Sequence, residues 1–170
     1  MGSSYTKIDH DGCADSMKKI MHVLGYFLLS NVIFTIDRVT KNYAIAFDGA
    51  TTSVFPGFSF VYVKNRGISW GMLYAHNSWM FSLTAVMISV IIGILAVYTY
   101  QRWQLNRSII GEVFVLTGAI SNLIDRIVHA GVIDFIEISC CGWYFPVFNI
   151  ADIVIVIGVG MMLTEFWLEP

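Results

Sequence analysis

Charged residues are scarce in this sequence. Only 13% of its 170 residues are charged, whereas 56% are hydrophobic. A soluble domain typically has about 25% charged residues, so a soluble domain is excluded and a membrane protein with several spans is indicated. The formal net charge of −2 gives no reason to expect a nucleic-acid partner.

Cysteine is also rare, and a common metal motif is missing. The chain has three cysteines, Cys13, Cys140 and Cys141, of which the last two are adjacent. This is a poor framework for a disulfide or a cysteine-based metal site. The His-Glu-x-x-His motif of zinc proteases does not occur. We therefore expect no structural disulfide, no metal and no cofactor.

Long apolar runs are present instead, and they predict four transmembrane helices. The clearest run extends from Trp79 to Tyr98, carries no charge and has aromatic residues at both ends. Residues 20–165 are predicted to form one membrane-embedded domain, between a polar cytosolic tail at 1–19 and a cytosolic C-terminus at 166–170. The predicted spans cover approximately residues 20–41, 77–99, 108–128 and 145–164.

Two segments outside these spans, approximately 44–76 and 129–144, predict a cap that contains β-structure. Phe58–Val63 is rich in aromatic and β-branched residues, and Phe135–Ser139 alternates apolar with polar side chains. We expect these two segments to pair. The predicted fold is thus a mainly α membrane protein, with four transmembrane helices and a small extracytoplasmic β-sheet cap.

The placement of basic residues indicates an orientation. Lysine and arginine are equally numerous on the two predicted sides of the membrane, but Lys18, Lys19, Arg102 and Arg107 flank otherwise plain spans. Basic residues in such positions are typical of the cytosolic side. We therefore expect cytosolic termini and an extracytoplasmic cap.

Carboxylates and amides cluster near the ends of the third and fourth predicted spans. Asn122 and Asp125 are three residues apart, as are Asn149 and Asp152, so each pair shares a helical face. Asp134 lies between the two pairs. Since a carboxylate in an apolar segment costs about 2.5–3.5 kcal/mol on insertion scales, these residues are expected to be functional.

Asp134 and Asp152 can face one another across a short connection, which is the arrangement that paired-carboxylate chemistry requires. Two close carboxyls share a proton, because both cannot ionise cheaply. The ionised one can take a proton from water as it attacks a peptide carbonyl, while the protonated one donates a hydrogen bond to the carbonyl oxygen. The sequence therefore predicts a membrane-embedded aspartyl protease.

Other polar residues are expected to support this pair. Asn65, Asn122 and Asn149 can orient the carboxylates or hold the substrate backbone. Arg126 is expected to pair with Asp125 and to brace the adjacent loop.

Two other classes of function compete with this interpretation. A small ion-coupled or proton-coupled membrane transporter also uses intramembrane aspartate and asparagine, but here the carboxylates cluster at one face and the sequence has no inverted repeat. A purely structural assembly factor would leave the placement of Asp134 and Asp152 unexplained.

Five motifs in a fixed order make the chain resemble a known family. Over residues 20–165 it resembles bacterial lipoprotein signal peptidase, also called signal peptidase II, a membrane aspartyl protease family. The motifs are Asp37-x-x-x-Lys41, Asn65-x-Gly67-x-Ser69-Trp70-Gly71, Asn122-x-x-Asp125-Arg126, Gly131-Val132-Ile133-Asp134-Phe135 and Phe148-Asn149-x-Ala151-Asp152.

The resemblance implies an aspartyl endopeptidase of the bacterial inner membrane that cleaves prolipoproteins before the diacylglyceryl-modified cysteine of the lipobox. It implies membrane lipid as a partner and the cyclic peptide globomycin as an inhibitor. Asp134 and Asp152 would be the catalytic dyad. The residues around the site would be Asp37, Lys41, Asn65, Gly67, Asn122, Asp125, Arg126 and Asn149.

The chain departs from the family pattern at four positions. Thr117 and Ser121 stand where glycines are usual, and Ser69-Trp70 replaces the commoner Ala-Phe. These exchanges are expected to affect helix packing and pocket shape more than the chemistry.

Overall fold

The computed structural model describes residues 4–46, 51–67 and 78–168. It contains four long helices and four strands. In chain order these are α1 (Ser4–Ala46), β1 (Thr52–Phe55), β2 (Phe58–Asn65), α2 (Ser78–Gln104), α3 (Ile110–His129), β3 (Val132–Cys140), β4 (Trp143–Tyr144) and α4 (Ile150–Leu168).

Three of these helices are long and apolar enough to cross a membrane: α1 from Ser16 to Ala46, α2 from Trp79 to Gln104, and α4. The prediction of four transmembrane helices is therefore wrong in number. α3 occupies the third predicted span, but its 20 residues include Glu112, Asp125 and Arg126, all of them buried. These charges make α3 a poor partner for lipid, so it depends on contacts with the rest of the protein.

α3 packs very closely against α4 in an antiparallel arrangement. A Cβ atom added at Gly158 would lie 2.6 Å from the carbonyl oxygen of Gly111, and one added at Gly118 would lie 2.6 Å from that of Ala151. Such small residues allow two helix backbones to approach one another. The two contacts are seven residues apart on each helix, so they form a continuous seam.

Polar and aromatic contacts hold one end of the helix bundle together. Arg102 near the end of α2 forms ion pairs with Glu112 at the start of α3 and Glu165 near the end of α4. The rings of Tyr26 and Trp103 meet edge to face, with their centroids 6.1 Å apart. The early part of α1 and the end of α4 therefore lie at the same end of the bundle.

At the other end of the bundle lies a four-stranded antiparallel sheet with the order β1-β2-β3-β4. Phe58 pairs with Ile138, and Phe60 with Ile136, which confirms the predicted pairing of these two segments. Its buried core consists of Ile133, Phe135 and Ile136 packed against Ala44 of α1.

Two boundaries differ from the predicted ones. α4 begins at Ile150 rather than near residue 145, because Phe148 forms a β-bridge with Ile136 and Asn149 caps the helix. Asp152 consequently lies in the first turn of α4. α1 begins at Ser4, so helix extends through most of the segment predicted as a polar tail, where residues 16–19 are exposed.

Some predicted features lie outside the described residues. They are parts of the cap at 47–50 and 68–76, the first residue of the predicted second span, and the motif residues Ser69, Trp70 and Gly71.

Candidate active site

Asp134 is a buried carboxylate on the central strand β3, with 2% of its surface exposed. Its Oδ2 accepts a hydrogen bond from the side-chain amide of Asn65 at 2.9 Å, and its Oδ1 accepts one from that of Asn149 at 2.6 Å. Burial, together with the negative charge of Asp152, raises the pKa of Asp134 to about 7, although the two amide donors act in the opposite direction. Asp134 can therefore carry a proton at neutral pH.

Asp152 is held in the first turn of α4 by a reciprocal cap. The backbone N–H of Asp152 donates to Oδ1 of Asn149 at 3.0 Å, and the backbone N–H of Asn149 donates to Oδ2 of Asp152 at 3.2 Å. This is the geometry of a helix capping box. The remaining oxygen, Oδ1, accepts a hydrogen bond from the side-chain amide of Asn122 at 2.8 Å.

The amides of Asn122 and Asn149 join the two carboxylates into one network. Oδ1 of Asn122 accepts hydrogen bonds from the side-chain amide of Asn149 at 3.2 Å and from Nζ of Lys41 at 2.7 Å. Each of the three asparagines predicted to orient the carboxylates, including Asn65, thus contacts at least one of them, and Asn149 contacts both.

Both carboxylates line one cavity of about 530 Å³ between the sheet and the bundle. Asn65, Asn122 and Arg126 supply its other polar side chains. No cluster of His, Cys, Asp or Glu suited to a metal ion occurs in the part of the chain described here. The rest of the lining is apolar and consists of Ile88, Ala119, Val132, Phe145, Pro146, Val147, Phe148, Ile153, Ile155, Val156 and Ile157.

Beside this cavity lies a buried ion network built on the Asp37–Lys41 pair. Nζ of Lys41 lies 2.8 Å from Oδ2 of Asp37 and 2.8 Å from Oδ2 of Asp125. Lys41 is 1% exposed, so the pair is shielded from water rather than solvated. Arg38 completes the network, with Nη1 2.7 Å from Oδ1 of Asp125.

This network also fixes the elements that carry the two aspartates of the cavity. Oδ1 of Asp37 accepts a hydrogen bond from the backbone N–H of Ala151 at 2.9 Å, next to Asp152. Oδ2 of Asp125 accepts one from the backbone N–H of Ile133 at 3.3 Å, next to Asp134. The anchors of α4 and β3 are therefore both carboxylates held by Lys41.

The predicted pairing of Asp125 with Arg126 is wrong. Asp125 pairs with Arg38 and Lys41, while Nη2 of Arg126 donates a hydrogen bond to the carbonyl oxygen of Gly67 at 2.9 Å. Successive side chains of a helix point about 100° apart, so the two residues face different neighbours. The N–H of Gly67 donates to Oδ1 of Asn65 at 2.9 Å.

Two residues, Arg38 and Ser121, support the site although no such role was predicted for them. Arg38 directly follows Asp37, and only Asp37 belongs to the Asp37-x-x-x-Lys41 motif. The long side chain of Arg38 reaches across to α3. The hydroxyl of Ser121 donates to Oδ2 of Asp37 at 2.6 Å, so the departure from glycine at this position provides a hydrogen bond. The motif pattern itself marked position 121 as unusual.

The chain is similar to lipoprotein signal peptidases over most of its length. Residues 29–168 match the family model of signal peptidase (SPase) II. The lipoprotein signal peptidase of Listeria monocytogenes serotype 4a is 33% identical over 150 residues, which cover 85% of this chain and 94% of that protein. The lipoprotein signal peptidase of Actinobacillus succinogenes is 32% identical over 150 residues, covering 84% and 89% respectively.

Solved structures with a similar fold are also known. A bacterial membrane enzyme determined by the in meso method at 2.3 Å resolution superimposes with a TM-score of 0.67 at 25% sequence identity, over 84% of this chain and 87% of that one. A second, at 1.9 Å resolution, has a TM-score of 0.66 at 25% identity, over 86% and 94%.

Proposed function

The chain belongs to the signal peptidase II family of lipoprotein signal peptidases, and we propose that Asp134 and Asp152 form the catalytic dyad with which it removes signal peptides from prolipoproteins. The observation that carries this proposal is the placement of the two carboxylates. They come from a strand and a helix, line the same cavity, and are both hydrogen-bonded to Asn149.

The reaction is a hydrolysis in which the dyad moves protons. The ionised carboxylate takes a proton from a water molecule while the water oxygen forms a bond to the scissile carbonyl carbon. The protonated carboxyl donates its hydrogen to the carbonyl oxygen, where negative charge develops. The carboxyl that accepted the proton from water then passes it to the leaving nitrogen, and the other aspartate recovers a proton from a hydroxyl of the intermediate as the carbonyl re-forms. The C–N bond breaks to give a carboxylic acid and an amine. The dyad titrates as a unit, so neither aspartate has a fixed role.

The charge balance of the site supports a dyad with a single proton. The site and its network contain four buried or half-buried carboxylates, Asp37, Asp125, Asp134 and Asp152, and three cations, Arg38, Lys41 and Arg126. One shared proton on the dyad makes the whole group neutral. A neutral group is favoured because an uncompensated charge is costly in a poorly solvated site.

The lining of the cavity suits an apolar, extended substrate. Its apolar walls can accept the lipidated lipobox segment, and we propose cleavage before the diacylglyceryl-modified cysteine. Nε and Nη1 of the buried Arg126 have no hydrogen-bond partner within the described residues. They are available to hold a carbonyl oxygen of the substrate backbone, and a globomycin-type peptide would compete for the same cavity.

We further propose that the protein lies in the bacterial inner membrane with its site near the extracytoplasmic face. The early part of α1 and the end of α4 lie at the end of the bundle opposite the sheet, where Lys18, Lys19 and Arg107 also lie. Basic residues favour the cytosolic side. This supports cytosolic termini and an extracytoplasmic cap. We propose that residues 20–165, approximately, form one peptidase domain that includes this cap.

A transporter is not favoured as an alternative. The hydroxyls of Thr84 and Ser89 in α2 donate to carbonyl oxygens of their own helix, those of Met80 and Ala85. They do not extend the polar network of the carboxylates.

The test is cleavage of a diacylglyceryl-modified lipobox peptide, beside its unlipidated twin, by purified protein in mild detergent. Wild type should cleave only the lipidated peptide, and Asp134→Asn and Asp152→Asn should each lower kcat by at least about 10³-fold, since each removes a group that handles a proton. Glu137→Gln, which changes a carboxylate on the same strand outside the cavity, is the matched control and should retain wild-type activity. Retention of more than a tenth of the activity by either folded aspartate variant would remove that residue from the dyad.

A further inference from the structure

The turn between β3 and β4 carries two adjacent cysteines, and both are exposed. Cys140 is the last residue of β3, and Cys141 is the first residue of the turn. Their Sγ atoms lie 3.6 Å apart. The contacts described above for the carboxylates involve neither sulfur, so the proposed peptidase reaction makes no use of this pair.

The two thiols meet because of the shape of the turn. Cys140 pairs with Trp143, so Cys141 and Gly142 form a two-residue turn, with φ values of +53° and +84°. Successive side chains of a strand point to opposite faces of the sheet, which would hold two neighbouring sulfurs apart. The left-handed conformation of Cys141 instead brings its side chain beside that of Cys140. Asparagine is the residue that such a turn favours at this position, and cysteine occupies it here.

A disulfide between these two residues would be easily reduced. An ordinary disulfide joins Cα atoms about 4.4–6.8 Å apart, whereas neighbouring residues have their Cα atoms about 3.8 Å apart. The S–S bond must therefore distort the turn, and strained, exposed disulfides are the labile ones. Such a bond also encloses no intervening residues, so it cannot join distant segments. These properties suit a reversible reaction rather than a structural cross-link.

The turn leads directly into the wall of the cavity that holds the two carboxylates. Strand β4 is two residues long, and the residues that follow it, Phe145, Pro146, Val147 and Phe148, all line that cavity. The N–H of Phe145 donates a hydrogen bond to the carbonyl oxygen of Ile138 at 2.9 Å. A change in the turn between Ile138 and Phe145 therefore reaches one wall of the cavity.

We propose that Cys140 and Cys141 form a reversible thiol–disulfide pair, and that its oxidation weakens binding of the lipidated substrate in the cavity. This regulation rests on the function proposed above and on a cap at the extracytoplasmic side, where disulfides can form. Asp134 and Asp152 are both held by Asn149, outside the turn. Oxidation should therefore affect substrate binding more than the chemical step.

The oxidant is a second disulfide, for example that of oxidised glutathione. One cysteine thiolate attacks this disulfide, forms a mixed disulfide and releases one glutathione thiolate. The other cysteine thiolate then attacks the protein sulfur of the mixed disulfide, and the second glutathione leaves. Two protein thiols are thus oxidised to one disulfide while glutathione disulfide is reduced to two thiols, which take up the two protons.

The test treats the purified full chain in detergent with oxidised glutathione. Intact mass and peptide mapping should show the loss of two hydrogen atoms and a bond between Cys140 and Cys141, reversed by dithiothreitol. Hydrogen exchange of the Phe145 amide should become faster, because its bond to Ile138 is disturbed. KM for the lipidated peptide should rise several-fold, with kcat close to that of the reduced protein.

Two variants separate this pair from the third cysteine. Cys13→Ser keeps the pair and should respond to the oxidant as the wild type does. Cys140→Ser/Cys141→Asn removes both thiols and creates an Asn-Gly turn, which suits this hairpin. It should therefore fold, and its KM should be insensitive to the oxidant.

Glutathione adducts without the internal bond, or a disulfide between two chains, would overturn the proposal. So would an internal bond that leaves either the exchange of the Phe145 amide or KM unchanged. A folded, reduced wild type without activity would count against the peptidase function alone, because mass and hydrogen exchange would still decide whether the pair forms and changes the turn.

Discussion

The side-chain amide of Asn149 donates a hydrogen bond to Oδ1 of Asp134 at 2.6 Å, across the junction between the sheet and the helix bundle. The backbone N–H of Asn149 donates to Oδ2 of Asp152 at 3.2 Å. One residue thus sets the position of both carboxylates, and it does so with two separate groups.

Replacing Asn149 should therefore damage catalysis more than folding. We expect Asn149→Ser, which retains an oxygen to cap α4 but lacks the amide donor, to lower kcat by about 10- to 100-fold because the carboxylates lose their alignment. The lost donor favoured ionised Asp134, so the alkaline limb of the pH profile should also move to higher pH. Measurement of kcat against pH for the lipidated peptide tests this. A variant with wild-type kcat would show that the amide does not align the dyad.

The activity should decline as the pH rises through about 7. Asp134 retains its proton up to that pH, mainly because it is buried and also because Asp152 is nearby. Above that pH Asp134 loses this proton, so the proposed dyad no longer has it to donate to the carbonyl oxygen. The pH profile of kcat/KM, measured with a buffer series of constant ionic strength, should therefore have an alkaline limb near 7. A rate that continues to rise to a plateau above pH 8 would contradict a singly protonated dyad.

Asp134 should also reduce stability at alkaline pH. Its pKa in the folded protein, about 7, exceeds the ordinary aspartate pKa of 3.8, so the folded state binds more protons and its stability decreases as the pH rises from about 4 to 7. Asp134→Asn removes this titration and should raise the free energy of unfolding at pH 8 by on the order of 2 kcal/mol. Thermal unfolding in detergent should show the gap shrinking towards pH 4. A constant gap would assign the effect to packing.

Lys41 should contribute more to stability than Arg38. Lys41→Met leaves Asp37 and Asp125 without their buried cation, which should cost about 3–5 kcal/mol. Arg38→Met should cost less, because the side chain of Arg38 is 22% exposed and water can replace it in part. Chemical denaturation of the purified variants measures both values. Lys41→Met/Asp37→Asn should recover part of the loss, since it removes one unpaired charge, and no recovery would argue against an electrostatic cause.

The seam between α3 and α4 should tolerate no additional methyl group. In Gly158→Ala the new Cβ would lie 2.6 Å from the carbonyl oxygen of Gly111 and 2.8 Å from Cβ of Phe114, so the helices must separate at a cost of about 1–3 kcal/mol. Gly160→Ala is the matched control, because its Cβ would meet nothing within 4 Å. Thermal midpoints in detergent should fall for the first variant only. Equal midpoints would show that the seam can relax.

Much of the site could be predicted from the sequence because carboxylate side chains are energetically unfavourable in a membrane and are therefore conspicuous near apolar runs. Asp134 and Asp152 stood out as carboxylates near apolar runs, and the pairing of β2 with β3 followed from residue types that favour strands. The Asp37–Lys41 pair was visible from its spacing, but its burial was not, since i,i+4 pairs are usually solvated.

The errors came from tertiary contacts that no local pattern records. The start of α4 shifted because Phe148 uses its backbone in a bridge to Ile136. Asp125 was assigned to its neighbour Arg126, whereas its partners come from α1, more than eighty residues earlier. The predicted number of spans was wrong because the composition of α3 is largely apolar. The sequence does not show that the charged side chains of α3 are buried against the rest of the protein.

The near contact between α3 and α4 also restricts when during biosynthesis the site can form. Translation produces α4 after the other described helices, and until then Gly111 and Gly118 face no partner and Asp37 lacks the N–H of Ala151. Asp152 is made in the same stretch as the residues that close this seam. A nascent chain that lacks α4 therefore has Asp134 without Asp152, so the proposed catalytic pair can form only after α4 has been synthesised.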